Sequence, residues 1–214
     1  MNQEVPPGFD HRFIAGEEKL RGLTLLLLHG TGGDGDSLLQ LGYTIAPGAA
    51  LLSPTGRVLE GESRRFFRRK SEGVFDQEDL ALRTSEMGEF VRSAAAAYQL
   101  DLQHVVAVGY SNGANIASSL LFREPDLLPG AVLLRPMVPF VPDAALRFRA
   151  TSVLICAGER DPLLPAGDTE RLSGMFRSAG ADVEVHLERA GHNLAMGDVT
   201  AARDWLSRKF ALDG

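Results

Sequence analysis

The chain has a single cysteine, Cys156, so no intrachain disulfide is open to it. Cys156 stands inside the apolar run Val153–Ala157, where a small buried residue is the default reading. Long apolar runs are missing too. Leu23-Thr24-Leu25-Leu26-Leu27-Leu28 is too short to span a bilayer, so no membrane partner is expected. The start, MNQEVPPGFDHRFIAGE, has neither the basic opening nor the apolar core of a secretory signal. A cytoplasmic protein is the simplest expectation. A basic excess is also lacking: the net charge is −6, which argues against nucleic acid as an electrostatic partner. The cluster Arg64, Arg65, Arg68, Arg69 and Lys70 is a local exception. Repeats, low-complexity tracts and linkers are absent as well. The 214 residues are therefore read as one domain, 1–214, with a sizeable core.

What is present is an alternation of apolar runs and helical periods. Strands are expected at 23–28, 49–53, 104–108, 130–135, 152–157 and 182–188, with a weaker one near 9–15 as an antiparallel edge. Helices are expected at 76–99, from 112 to about 122, at 169–178 and at 194–210. In the first, Leu80, Thr84, Met87, Val91, Ala94 and Tyr98 recur at steps of four and three. Such alternation predicts an α/β fold: one mostly parallel central sheet flanked by helices. The segment 54–75 is read as a long connection without periodicity. Connections of that length in a compact domain are usually functional or disordered.

The most informative residues are Gly109-Tyr110-Ser111-Asn112-Gly113. They follow the strand run Val105–Val108 and open a helix rich in small residues. G-x-S-x-G at a strand-to-helix turn is a nucleophile elbow with the serine at its apex. A serine hydroxyl needs a base, and the base needs an orienting carboxylate, in the chain order Ser, Asp or Glu, His. Two histidines follow Ser111. His186 lies in an alternating strand, whereas His192 lies in a loop beside Gly191, which suits a base. The acid comes from the end of the 152–157 strand. Asp161 is favoured there, with Glu159 as its competitor.

The early strand ends at His29-Gly30-Thr31-Gly32-Gly33-Asp34. In this arrangement such a loop gives one oxyanion donor, and the residue after the serine gives the other. Those donors are the backbone N–H groups of Thr31 and Asn112. A phosphate loop is excluded, because no Gly-Lys-Ser/Thr follows. His29 is expected to brace the loop by hydrogen bonding. Phe66 and Phe67 are read as lining the substrate pocket, against the alternative that they staple the loop to the body. Met137 and Phe140 are read as pocket wall, core cover or dimer contact.

At this point the chain resembles an α/β-hydrolase of the phospholipase/carboxylesterase family, over nearly its whole length. The segments that carry the resemblance are LLLLHGTGGD (25–34), LLSPTG (51–56), RRFFRRKSEGVFDQEDL (64–80), VGYSNGANIA (108–117), GERDPLLP (158–165) and AGHNL (190–194). The basic-aromatic stretch is most similar to the hydroquinone-linked carboxylesterases of bacteria. The acyl-protein thioesterase branch usually has Gln where this chain has Asn112. The resemblance implies a serine esterase without metal and does not fix the substrate. The expectation taken from the chain as a whole is a carboxylesterase for small esters, with no cofactor and no separate lid domain. Because family members often dimerise, a homodimer is the candidate assembly. Two other readings remain: an acyl thioesterase or lysophospholipase, and a silent ligand-binding homologue. A cysteine-nucleophile hydrolase of the dienelactone type is excluded at the elbow, where the residue is Ser111.

Overall fold

The computed structural model describes residues 8–17, 22–142 and 146–210. Seven strands form one sheet: β1 (His11–Ile14), β2 (Thr24–Leu28), β3 (Ala50–Pro54), β8 (Val105–Tyr110), β9 (Gly130–Leu134), β10 (Ser152–Gly158) and β11 (Asp182–Glu188). Their order is β1-β3-β2-β8-β9-β10-β11. Every pair is parallel except β1 with β3, so the weak first strand is indeed an antiparallel edge.

The sheet is covered on both sides, which is why its central strands read as unbroken apolar runs. Side chains alternate between faces with period two. Leu26 and Leu28 of β2 join a core with α2 (Gln77–Tyr98), α3 (Asn112–Arg123) and α4 (Asp168–Ser178). Leu25 and Leu27 join the opposite core, with α5 (Met196–Lys209) and its buried Trp205. The helix α1 (Leu39–Ile45) packs beside α5 on that second face. It was not foreseen from sequence. At seven residues it spans about two turns, and no side chain caps its start.

The segment 54–75 also departs from the expectation of an irregular loop. It folds into two small hairpins, β4 (Val58–Glu60) with β5 (Ser63–Arg65), and β6 (Arg69–Ser71) with β7 (Val74–Phe75). Strands of two or three residues are too short to show a period. Arg68 reaches the acidic start of α2, with Asp76 at 3.4 Å and Asp79 at 3.5 Å. Asp79 also accepts the Arg68 backbone N–H at 2.7 Å.

Among the described residues, no helix is long and apolar enough to cross a membrane.

Candidate active site

Ser111 sits at the turn from β8 into α3, at the C-terminal edge of the sheet where loops of parallel strands converge. Its backbone has φ 52° and ψ −113°, a strained conformation for a residue with a Cβ, costing of order 1–3 kcal/mol. The turn is held because the Ser111 N–H donates to Leu134 O at 2.8 Å, at the end of the neighbouring β9. The flanking glycines are required by proximity. A Cβ on Gly109 would lie 2.5 Å from Gly113 O, and one on Gly113 would lie 1.9 Å from Leu28 O.

Three side chains form an unbroken relay. Ser111 Oγ lies 2.9 Å from His192 Nε2, and His192 Nδ1 lies 2.7 Å from Asp161 Oδ2. The other oxygen, Asp161 Oδ1, accepts the Leu163 N–H at 2.9 Å. The Asp161 side chain is fully buried, which strengthens its bond to the imidazole. Glu159, the competing acid, is exposed. His186 stays on β11, 3.4 Å from Glu188 Oε2, and takes no part in the relay.

The backbone N–H groups of Thr31 and Asn112, the expected oxyanion donors, belong to residues that line one cavity with Ser111. Among the described residues neither has an acceptor in the protein. Asn112 is the first residue of α3, so its free N–H also carries the positive end of the helix dipole. The loop bearing Thr31 is braced from two directions. The Arg65 guanidinium donates to Thr31 Oγ1 at 2.6 Å and to Phe67 O at 3.2 Å, and faces Glu60 at 3.4 Å. His29 holds Gly30 O with Nδ1 at 2.7 Å, while its Nε2 accepts the Gly56 N–H at 2.9 Å. That second bond requires a neutral imidazole. Sequence alone offers no signal for Arg65, which reads there as one charge in a basic run.

Burial is the main influence on His29 and holds its pKa below the ordinary value, against an upward pull from the Gly30 bond. The unfolded chain therefore binds this proton before the folded chain does. Stability from neutral His29 is full above about pH 6.5 and declines as the pH falls below it. Thermal unfolding of wild type and His29→Gln across that range checks the point, with a steeper acid loss expected in the wild type. Parallel slopes would remove His29 as the source.

Ser111 and His192 open onto a cavity of about 290 Å³, walled by Phe75, Met137, Leu163 and Leu164 and by the polar ends of Arg65, Arg69 and Asn115. Met137 is on that wall, and it also packs against the core. Phe66 and Phe67 are not on it. Both are fully buried in the core beneath the hairpins, so the stapling alternative holds. The Phe66 N–H donates to Asn112 Oδ1 at 2.7 Å, which ties the hairpins to the elbow. Phe75, from the same segment, stacks edge-on against Phe67 at 5.1 Å and presents the aromatic wall instead. Phe140 covers core, against Phe122 and under the Arg123 guanidinium. Burial pushes the Cys156 thiol well up, so it is inert as a nucleophile.

Among the described residues, no cluster of His, Cys, Asp and Glu has the makings of a metal site.

The sequence model of the dienelactone hydrolase family matches residues 68–202, which include the elbow, Asp161 and His192, so Ser111 at the elbow rules out a cysteine nucleophile but not that family. MhqD of Bacillus subtilis (strain 168) is 48% identical over 185 residues, 85% of this chain and 90% of MhqD. Among solved structures, the Bacillus cereus carboxylesterase has 45% identity and a TM-score of 0.90, covering 93% of each chain. The carboxylesterase from Mesorhizobium loti has 32% identity and a TM-score of 0.84, covering 90% of each.

Proposed function

The chain belongs to the dienelactone hydrolase family, and we propose that within it this hydrolase is a serine carboxylesterase for small esters. The observation that carries this reading is the relay of Ser111, His192 and Asp161 opening onto a cavity of limited volume. Ser111 Oγ attacks the ester carbonyl carbon while His192 Nε2 takes its proton. The carbonyl oxygen becomes negative and is held by the Thr31 and Asn112 N–H groups. His192 then protonates the departing alcohol, leaving an acyl-enzyme. Water, deprotonated by His192, attacks the acyl carbon; the bond from that carbon to Ser111 Oγ then breaks, His192 returns the proton to Oγ, and the acid is released. Asp161 fixes the imidazole tautomer and stabilises its charged form. No step calls on a metal or cofactor. A cytoplasmic setting belongs to the same reading, since one buried cysteine suits a reducing compartment.

The likeness to two carboxylesterases supports ester hydrolysis, and the cavity supports a short acyl part. The intact relay speaks against a silent ligand-binding homologue. The test is turnover of p-nitrophenyl esters from acetyl to palmitoyl. Rates are expected to be highest with the shortest acyl groups and to fall steadily with length. A maximum at the long end would put the acyl thioesterase or lysophospholipase reading first. Absence of turnover, together with no labelling by a fluorophosphonate, would leave ligand binding.

A further inference from the structure

Arg135 is fully buried, and its backbone lies in the left-handed region at φ 55°. It directly follows β9, whose last residue, Leu134, accepts the Ser111 N–H. A guanidinium has five N–H bonds in a fixed planar fork. In Arg135 all five are used. Nε donates to Gly191 O at 3.0 Å and one Nη2 hydrogen to Asn193 O at 3.1 Å, the two carbonyls that flank His192 in sequence. Nη1 donates to Cys156 O at 3.2 Å on β10 and to Asp198 Oδ1 at 2.8 Å, and Nη2 also meets Asp198 Oδ2 at 2.7 Å. Asp198 is itself buried and accepts the Ala195 N–H at 2.8 Å, closing the loop onto α5.

We infer that Arg135, clamped by Asp198, is a positioning residue that sets the height and tilt of His192 relative to Ser111. The inference rests on the reading of His192 as base. The same two residues, Leu134 and Arg135, hold the serine turn by a carbonyl and the histidine loop by a side chain, so one strand end sets both partners. The loop also sits tightly on β10. A Cβ on Gly158 would lie 2.4 Å from Gly191 O, and Arg160 N–H donates to Ala190 O at 3.0 Å. Lysine cannot replace the clamp, because a tetrahedral ammonium has three donors and no plane. A base displaced by about 1 Å can lose on the order of a hundredfold in rate.

The obvious variant, Arg135→Met, leaves Asp198 charged and buried, and that alone unfolds proteins. The paired variant Arg135→Met/Asp198→Asn avoids this, since the uncharged amide keeps an oxygen that can accept the Ala195 N–H. Arg135→Lys, which keeps the charge against Asp198, serves as the second variant should the pair not fold. Each is assayed for kcat and KM on a short ester, and by the downfield proton resonance of the His192–Asp161 hydrogen bond. Folded variants are expected to lose about 100-fold in kcat with KM little changed, and the resonance should broaden or vanish. Folded variants with kcat within about threefold of wild type and an intact resonance would overturn the inference, since a clamp of purely structural value leaves both unmoved. His192→Gln is measured alongside. If it retains wild-type turnover, the reading of the base fails whatever Arg135 does.

Discussion

Ser111→Ala is expected to lower kcat by on the order of 10⁵-fold while KM for a short ester stays within a few-fold. The relay acts as a unit. Without Oγ, His192 has no hydroxyl to deprotonate and no acyl-enzyme forms. The residual rate comes from the oxyanion donors and from binding alone, roughly 10³-fold above water. Stability should move the other way at this position. Ser111 is held at φ 52° and ψ −113°, where glycine alone is unstrained. Ser111→Gly should therefore abolish turnover and raise the unfolding free energy by about 1 kcal/mol, the lower end of such strain. Paired kinetic and denaturation measurements check both parts. Turnover in Ser111→Ala above a tenth of wild type would mean that the nucleophile lies elsewhere.

The second large effect concerns the glycine two residues on. Gly113→Ala is expected to cost more than about 4 kcal/mol, enough to prevent folding of a marginally stable domain at growth temperature. The added methyl would lie 1.9 Å from Leu28 O and 2.7 Å from His29 O. Both are backbone atoms, at or just past the end of β2, so no rotamer change can relieve the clash. The only relief is for α3 to lift from the sheet, which would carry Asn112 and its oxyanion donor away from Thr31. Gly174→Ala is the control: it lies in α4 with open space around it and should gain about 0.5–1 kcal/mol from helix propensity. Chemical denaturation of both variants checks this, and a wild-type midpoint in Gly113→Ala would contradict it.

The sheet was legible because its central strands are buried on both faces and therefore continuously apolar. The elbow was legible because close packing restricts both flanking positions to glycine. The sequence favours Asp161 as the acid but leaves Glu159 as a competitor, since both follow the same strand. What separates them is the backbone turn that buries one and exposes the other. Phe66 and Phe67 were misplaced because charged neighbours suggest an exposed loop. In fact the short hairpins turn the aromatics inward while Arg64, Arg68 and Lys70 stay outside. Arg135 and Asp198 carry no signal at all. They stand 63 residues apart, one after a strand and one in the first turn of a helix, where a carboxylate is ordinary.

Trp205 is the only tryptophan in the chain, and it lies buried in α5, the helix that continues from the loop bearing His192. Its indole thus leaves water only when that last helix docks on the sheet. Docking of α5 also brings Asp198 to Arg135 and seats the loop that bears His192. The protein therefore contains its own optical reporter of competence. During refolding, the emission change of this one fluorophore should track the recovery of esterase activity, while far-ultraviolet signals from the earlier helices can run ahead of both.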